Sequence, residues 1–259
     1  MYFSIREQNP VIQAHLASGG TAFTLMGNML VESTGNRRTV IGPASRFPIT
    51  LEGTARFQIA NLLTGMAACR AMGIGVETMS TALSDFGTAQ QNRGRVNFYE
   101  VNGGYVLVDY GHNIGAFEAI CEMMHAWRCG ETIGVVSLPG DRSDALLEQA
   151  ARVAGCGFDH LIIREDRDRR GRAPGEVAGH LYQTVKALHP VLDPVVILDE
   201  FESFQHALKL ASPGKVVVLF FDDYRVLQRA LVESGAVPVE FSPALFGSPE
   251  EPLESAAAS

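Results

Sequence analysis

Residues 94–115 read GRVNFYEVNGGYVLVDYGHNIG. The spacing predicts a strand over Arg95 to Val101, a hairpin turn at Asn102-Gly103-Gly104, a second strand over Tyr105 to Tyr110, and a helix from about Ala116 to Trp127. An apolar strand that ends in Asp109, followed by a short loop with His112 and Asn113 and then a helix, is a strand-turn-helix unit of an α/β sheet. Ligands of such sheets sit at the carboxyl ends of the strands. Asn113 can cap the helix, and the backbone N–H groups there suit an anion such as a phosphate. Asp109 can accept ribose hydroxyls, or it can simply satisfy the turn.

Downstream, the alternation repeats. Strands are expected at Ile133 to Leu138, His160 to Arg164, Val195 to Leu198 and Val216 to Phe221. Helices are expected at Asp144 to Ala154, Gly175 to Leu188, Glu202 to Leu210 and Tyr224 to Ser234. This is an α/β pattern with a mostly parallel sheet covered by helices on both faces. The continuous apolar runs VVVLFF and VVIL fit strands buried on both sides. Upstream, the first 50 residues read as β-rich and irregular, with a Gly27-Asn28 hairpin turn and a second turn at Thr34-Gly35-Asn36. Helical spacing then appears from Thr54 to Met72 and from Val76 to Phe86, a helix hairpin broken at Gly73. Residues 87–94, GTAQQNRG, read as an interdomain linker. The expected organisation is therefore 1–90, 91–243 and a disordered Pro/Ser/Ala-rich tail at 244–259.

Three further groups of residues can carry chemistry. Val135 to Asp144 contains SLPGDRSD, a second strand end with a glycine loop, in which Arg142 can grip an anion in bidentate fashion. Residues 164–176, REDRDRRGRAPGE, follow a third strand; Glu165, Asp166 and Asp168 can hold a cationic side chain and the arginines a carboxylate, or the run is a solvated loop. Asn61 stands on an otherwise apolar helix beside Arg56 and Gln58, either to bond a ligand or to bond backbone.

Composition narrows the classes. The chain has 259 residues, is 46% hydrophobic and 19% charged, and carries a formal net charge of −8, which supports a buried core and argues against a nucleic-acid surface. Its four cysteines have no metal spacing and read as buried thiols of a reducing compartment. The seven histidines do not cluster at ligand spacing, so no protein-held metal is expected. No signal segment or membrane-length apolar run occurs, and the expected location is the cytoplasm. Neither GxxxxGK[ST] nor a strand-linked GxGxxG is present.

Taken in order, ARFQIANLLTGMAA, Arg93-Gly94-Arg95, DYGHN, LPGDR and REDRDRRGRAPGE resemble the second half of cyanophycin synthetases, within the wider group of Mur ligases and folylpolyglutamate synthetases, from about Tyr2 to Phe241. The resemblance implies a Rossmann-like C-terminal ligase domain over 91–243, preceded by a remnant of a central ATPase domain (a β-rich segment plus the helix hairpin). It implies ATP- and Mg2+-dependent amide formation through an acyl phosphate, with arginine added to the side-chain carboxylate of aspartate in a peptide. Asn61 would lie by adenine, Arg95 by the nucleotide phosphates and Asp109 by the ribose, with His112 and Asn113 flanking the nucleotide. Asp141 and Arg142 would face the reaction centre. Asp166, Asp168, Arg170, Arg172 and Glu176 would border the incoming amino acid.

The chain departs from this family in places. The family's phosphate loop, magnesium ligands and ATP-grasp module would lie before Met1. Phe57-Gln58 follows Arg56 where the family tends to His-Asn, and Ile114 follows Asn113 where it tends to Pro. The expected partners are accordingly a polypeptide bearing the phosphate loop or a homo-oligomer, plus peptide and amino acid. Two other readings stand beside this one: a non-catalytic scaffold or degenerate fragment, and a glutamate ligase of the folylpolyglutamate type.

Overall fold

Asn9-Pro10 opens the first helix of a computed structural model that describes residues 1–87, 91–242 and 245. Contacts divide the chain into two units, Met1–Gln91 and Asn92–Ser259. The linker reading falls partly on residues 88–90, and the tail reading almost wholly on 246–259, outside the described residues.

The first unit is a four-stranded sheet in the order β1 (Tyr2–Ser4), β2 (Thr21–Met26), β3 (Met29–Thr34), β4 (Arg37–Pro43). The Gly27-Asn28 turn sets the β2–β3 register, which pairs Met26 with Met29. Helix α1 (Pro10–Ala17) corrects the expectation of an irregular β-rich start. Only Ile12 of this helix is buried, so it carries no apolar period. Its signal is the cap: the Asn9 side chain accepts from Val11 N and Ile12 N, and Pro10 occupies the first turn. Helix α2 (Arg56–Ala71) and helix α3 (Val76–Ser84) follow. Ile59, Leu62, Leu63 and Met66 of α2 close a core with Phe23, Leu25, Leu30, Ile41 and Phe47. Glu32 in the sheet is matched by Arg70 of α2 at 2.7 Å.

The second unit begins with β5 (Arg95–Val101), β6 (Gly104–Asp109) and α4 (Ile114–Ala126). It continues with β7 (Glu131–Val136), α5 (Asp144–Gly157), β8 (His160–Ile163), α6 (Glu176–Leu188) and β9 (Val195–Val196). Helix α7 (Glu200–Leu210), β10 (Lys215–Phe220), α8 (Tyr224–Glu233) and β11 (Val237–Val239) complete it. The sheet order is β11-β5-β6-β10-β7-β8-β9. The strands from β6 to β9 in that order are parallel, while at one edge β5 pairs antiparallel with β6 and β11 antiparallel with β5. The mostly parallel sheet matches the sequence expectation; β11, whose three residues carry a proline, was not foreseen.

Strand β10 sits in the middle, and the run VVVLFF is buried as expected. Alternation splits its side chains between the faces. Val217 and Leu219 meet Phe204 and Leu208 of α7 and Leu227 and Leu231 of α8. Phe220 meets Phe117 of α4, with ring centroids 4.6 Å apart. Register aligns the strand ends: Phe220 pairs with Asp109, Leu219 with Val135, and Val136 with Ile163. The chain crosses from β6 to β7 and only later fills the place between them with β10. The loops after β6, β7, β8 and β10 therefore gather at one end of the sheet, where ligands of such sheets sit.

Candidate functional site

The loop after β6 is shaped by an irregularity in β5. Register slips between Arg95 and Asn97, and Val96 takes φ 51°. A left-handed β-branched residue is strained, and here it turns its N–H onto Asp109 Oδ2 at 3.1 Å. Asn97 supports the kink by accepting from Gly94 N at 2.6 Å and donating to Asn92 O at 3.1 Å. Asp109 is 6% exposed. Burial raises its carboxyl to about 6, against the Arg95 charge, the N–H groups of Val96 and Gly111, and His112. Arg95 itself is exposed and lies over the Tyr110 ring at 4.9 Å. Asn113 caps α4 through Ala116 N at 3.0 Å. His112 Nδ1 meets Tyr110 O at 3.1 Å, and the ring lines a cavity.

That cavity, of about 140 Å³, is walled by His112, Ser137, Arg142, Arg164, Asp166, Arg170 and Asp222 among others. Three guanidiniums from two loops converge there: Arg142 from the loop after β7, Arg164 and Arg170 from the loop after β8. Arg164 is 2% exposed and ties three strand ends together. Its Nη1 donates to Asp166 at 3.1 Å; its Nη2 donates to Phe220 O at 3.0 Å and pairs with Glu200 at 3.2 Å. Its Nε is buried without a partner. Ser137 Oγ donates to Asp166, binding the β7 loop to the β8 loop. Glu200 also accepts from Asp222 N at 2.6 Å; desolvation raises its carboxyl, with Arg164 opposing. The Asp222 carboxylate has no hydrogen bond or ion pair among the described residues. Partial burial and then Asp166 raise it, while Arg164 pulls it down.

A second cavity of about 550 Å³ adjoins the first, since Asp166 and Asp222 line both. Its other acidic walls are Glu165, Asp199, Glu200 and Asp223, against Arg167 and Arg169. One cavity thus favours anions and its neighbour cations.

The remaining residues singled out from sequence are placed as follows. Arg170 bonds Asp141 at 2.6 Å, which holds that carboxyl below its usual range, and Arg142 adds a 3.4 Å contact. Asp168 caps the turn at Arg170 N. Arg172 is a brace: it donates to Gly140 O, Arg142 O, Asp144 and Glu176. Glu176 also accepts from Ala173 N at 2.9 Å. Glu165, a candidate for holding a cation, instead accepts from Gly175 N and Ala178 N at the start of α6. The 164–176 run is therefore an ordered loop, buried at Arg164 and Glu165 and solvated over most of Arg167 to Glu176. Asn61 lies in the first unit, exposed on α2, and donates to Gln58 at 3.1 Å. It is not the buried, backbone-bonded asparagine considered from sequence. Asn97 and Asp222 were missed as site residues, and Arg164 was offered for a carboxylate only with the other arginines of the 164–176 run. The one legible signal was an arginine at the end of an apolar strand. Among the described residues, no group of three His, Cys, Asp or Glu is placed to hold a metal, and no helix is long and apolar enough to cross a membrane.

Comparison with known proteins follows the same lines. Residues 94–220 match the family model "Mur ligase, glutamate ligase domain". Over 220 residues the chain is 35% identical to a cyanophycin synthetase of Geminocystis herdmanii and over 220 residues 34% identical to one of Synechocystis sp.. Each alignment covers 85% of this chain but 25% of the relative, so the chain spans about a quarter of those proteins. Among solved structures, a bifunctional folylpolyglutamate synthase/dihydrofolate synthase of Yersinia pestis, complexed with AMPPNP and Mn ion, superposes with TM-score 0.57 at 16% identity, over 89% of this chain and 52% of that one. The murein peptide ligase of Psychrobacter arcticus gives TM-score 0.56 at 17% identity, over 85% and 45%. These two likenesses speak for the fold.

Proposed function

We propose, for a chain whose residues 94–220 match the Mur ligase, glutamate ligase domain, that it forms the amine-side half of an ATP-dependent ligase of cyanophycin synthetase type. The reaction is amide formation between the side-chain carboxylate of aspartate in a peptide and the α-amino group of arginine. The observation that carries this reading is the pair of adjoining cavities of opposite charge at the strand ends. The cavity of Arg142, Arg164 and Arg170 suits a carboxylate or a transferred phosphoryl group. The acidic cavity suits a guanidinium and repels the side chain of glutamate, which speaks against the folylpolyglutamate alternative.

Bound ATP, with Mg2+, supplies the phosphoryl group that activates the aspartate carboxylate. The chain's own residues then do the positioning. Arg95, Asp109, His112 and Asn113 border the nucleotide. Asp141 and Arg142 face the reacting carbonyl, where Arg142 offsets negative charge as the tetrahedral centre forms. Asp166 and Asp222 meet the incoming ammonium; Asp222, uncommitted and shifted upward, can take its proton. Arg172 and Glu176 hold the loop that carries Arg142. These 259 residues contain no GxxxxGK[ST], so the phosphate-gripping side is assigned to a phosphate-loop polypeptide, contiguous with these residues or separate from them.

Complementation tests this reading. The chain, a phosphate-loop polypeptide of a cyanophycin synthetase, an aspartate-rich peptide, ATP, Mg2+ and arginine should together release ADP and add one arginine mass to the peptide. The chain alone should not turn over ATP. Turnover by the chain alone with the peptide would overturn the partner assignment. Ligation of glutamate to a folate, with arginine refused, would overturn the substrate assignment.

A further inference from the structure

Away from the site, around the start of β7, lies a cavity of about 800 Å³ lined by Cys121 of α4, Cys129 and Cys156 of α5, together with His125, Arg128, Glu118 and Glu122. Three of the chain's four cysteines face it. Helices α4 and α5 touch closely at this point. A Cβ added at Gly157 would fall 2.2 Å from Cys121 Sγ and 3.0 Å from Cys121 Cβ, so the Cys121 sulfur lies against the α5 backbone one residue from Cys156. Cys156 is the next residue of the same helix wall and lines the same cavity as Cys121. Cys156 is exposed, with its sulfur 3.7 Å from His189 Nε2, a neighbour that favours thiolate when protonated.

We propose that this cavity is a thiol–disulfide exchange site, in which Cys156 and Cys121 react in turn with a small carboxylate-bearing disulfide of the glutathione class. The Cys156 thiolate attacks one sulfur of oxidised glutathione and expels one glutathione thiolate, leaving a mixed disulfide. The Cys121 thiolate then attacks the Cys156 sulfur and expels the second glutathione. Two cysteine thiols lose two electrons and two protons; one disulfide becomes two thiols. The wall is of mixed sign, with His125 and Arg128 suited to the carboxylates of the incoming disulfide and Glu118, Glu122 and Asp159 to its ammonium groups. The resulting bridge ties together the two helices whose N-termini carry Asn113 and the PGDR loop. Burial pushes the Cys121 thiol up to about 12, which makes ring closure the slow step.

The test is exposure of the full chain to oxidised glutathione, followed by alkylation, digestion and mass spectrometry. A Cys121–Cys156 linked peptide is expected, with Cys69 alkylated throughout. Closure should quicken about tenfold per pH unit between 7 and 9, following the thiolate fraction. Cys121→Ser should stop at a glutathionyl Cys156, and Cys129→Ser should close as the unaltered chain does. A chain glutathionylated at Cys156 that leaves Cys121 alkylatable at pH 9 would overturn the proposal. So would a link from Cys121 to Cys129, or no reaction at any cysteine while denatured chain reacts.

Discussion

At the scale of single residues, Asp109 and Arg164 set the terms of the site. Asp109 is an ionisable group placed where ionisation is costly. Burial pushes its folded carboxyl up to about 6 from an ordinary 3.8, so the folded state holds the proton more tightly than the unfolded chain. Stability from this group therefore falls as pH rises from about 4 through 6, by up to roughly 3 kcal/mol. Asp109→Asn should raise the melting temperature at pH 8 and change it little at pH 4; equal shifts at both would contradict the burial argument. Arg164 is the converse case, a buried cation matched on several sides. Removing it leaves Glu200 and Asp166 short of a counter-charge. Arg164→Ala should cost on the order of 3–5 kcal/mol in urea unfolding, as expected for breaking a buried pair. Adding Glu200→Gln to Arg164→Ala should recover part of that loss, and additive losses in the cycle would show that the pair is not coupled.

Among elements, the loops after β7 and β8 act as one body. Arg172 binds two carbonyls of the first loop, and Gly140 lies so close to the second that an added Cβ would meet Arg169 O at 2.1 Å. Gly140→Ala must push the loops apart, because the obstacle is backbone. The expected result is lost product formation in the complemented ligation assay, at least tenfold, with a smaller loss of stability. Unchanged ligation would show that the spacing of Arg142 and Arg170 is not needed. This coupling was not legible in sequence. PGDR and RGRAPGE were each visible, but Arg172 looked like a substrate arginine. Its bonds run to residues about thirty positions away, and only chain folding supplies them.

On the scale of the molecule, the described residues pack into separate hydrophobic clusters in the two units. Phe23, Phe47, Leu63 and their neighbours close the first; Val108, Phe204, Val217 and Leu227 belong to the second. Each unit has its own sheet and its own helices. Calorimetry should accordingly resolve two transitions, since two-state behaviour belongs to single cores. Arg164→Ala should lower only the one carried by residues 92–242. A single transition shifted as a whole by that substitution would mean that the units melt together.

Much of the architecture was readable along the chain. Periods of 2 and 3.6 marked the strands and helices of the second unit because burial imposes them locally. VVVLFF announced a central strand, and DYGHN announced a strand end feeding a capped helix. Helix α1 escaped because its only strong mark was a cap, and β11 because a three-residue edge strand containing proline has almost no pattern. The site was legible only by halves. Sequence placed polar residues after apolar strands, which is where α/β sheets open. It could not tell which of them would be committed to one another. Glu165, Arg172 and Glu176 are committed to holding loops, while Arg164 and Asp222 line the cavities. Charge type is written in the sequence, whereas partnership depends on strand order. Inserting β10 between β6 and β7 brought Asp222 beside residues 56 and 58 positions earlier, and that neighbourhood exists only in the folded sheet.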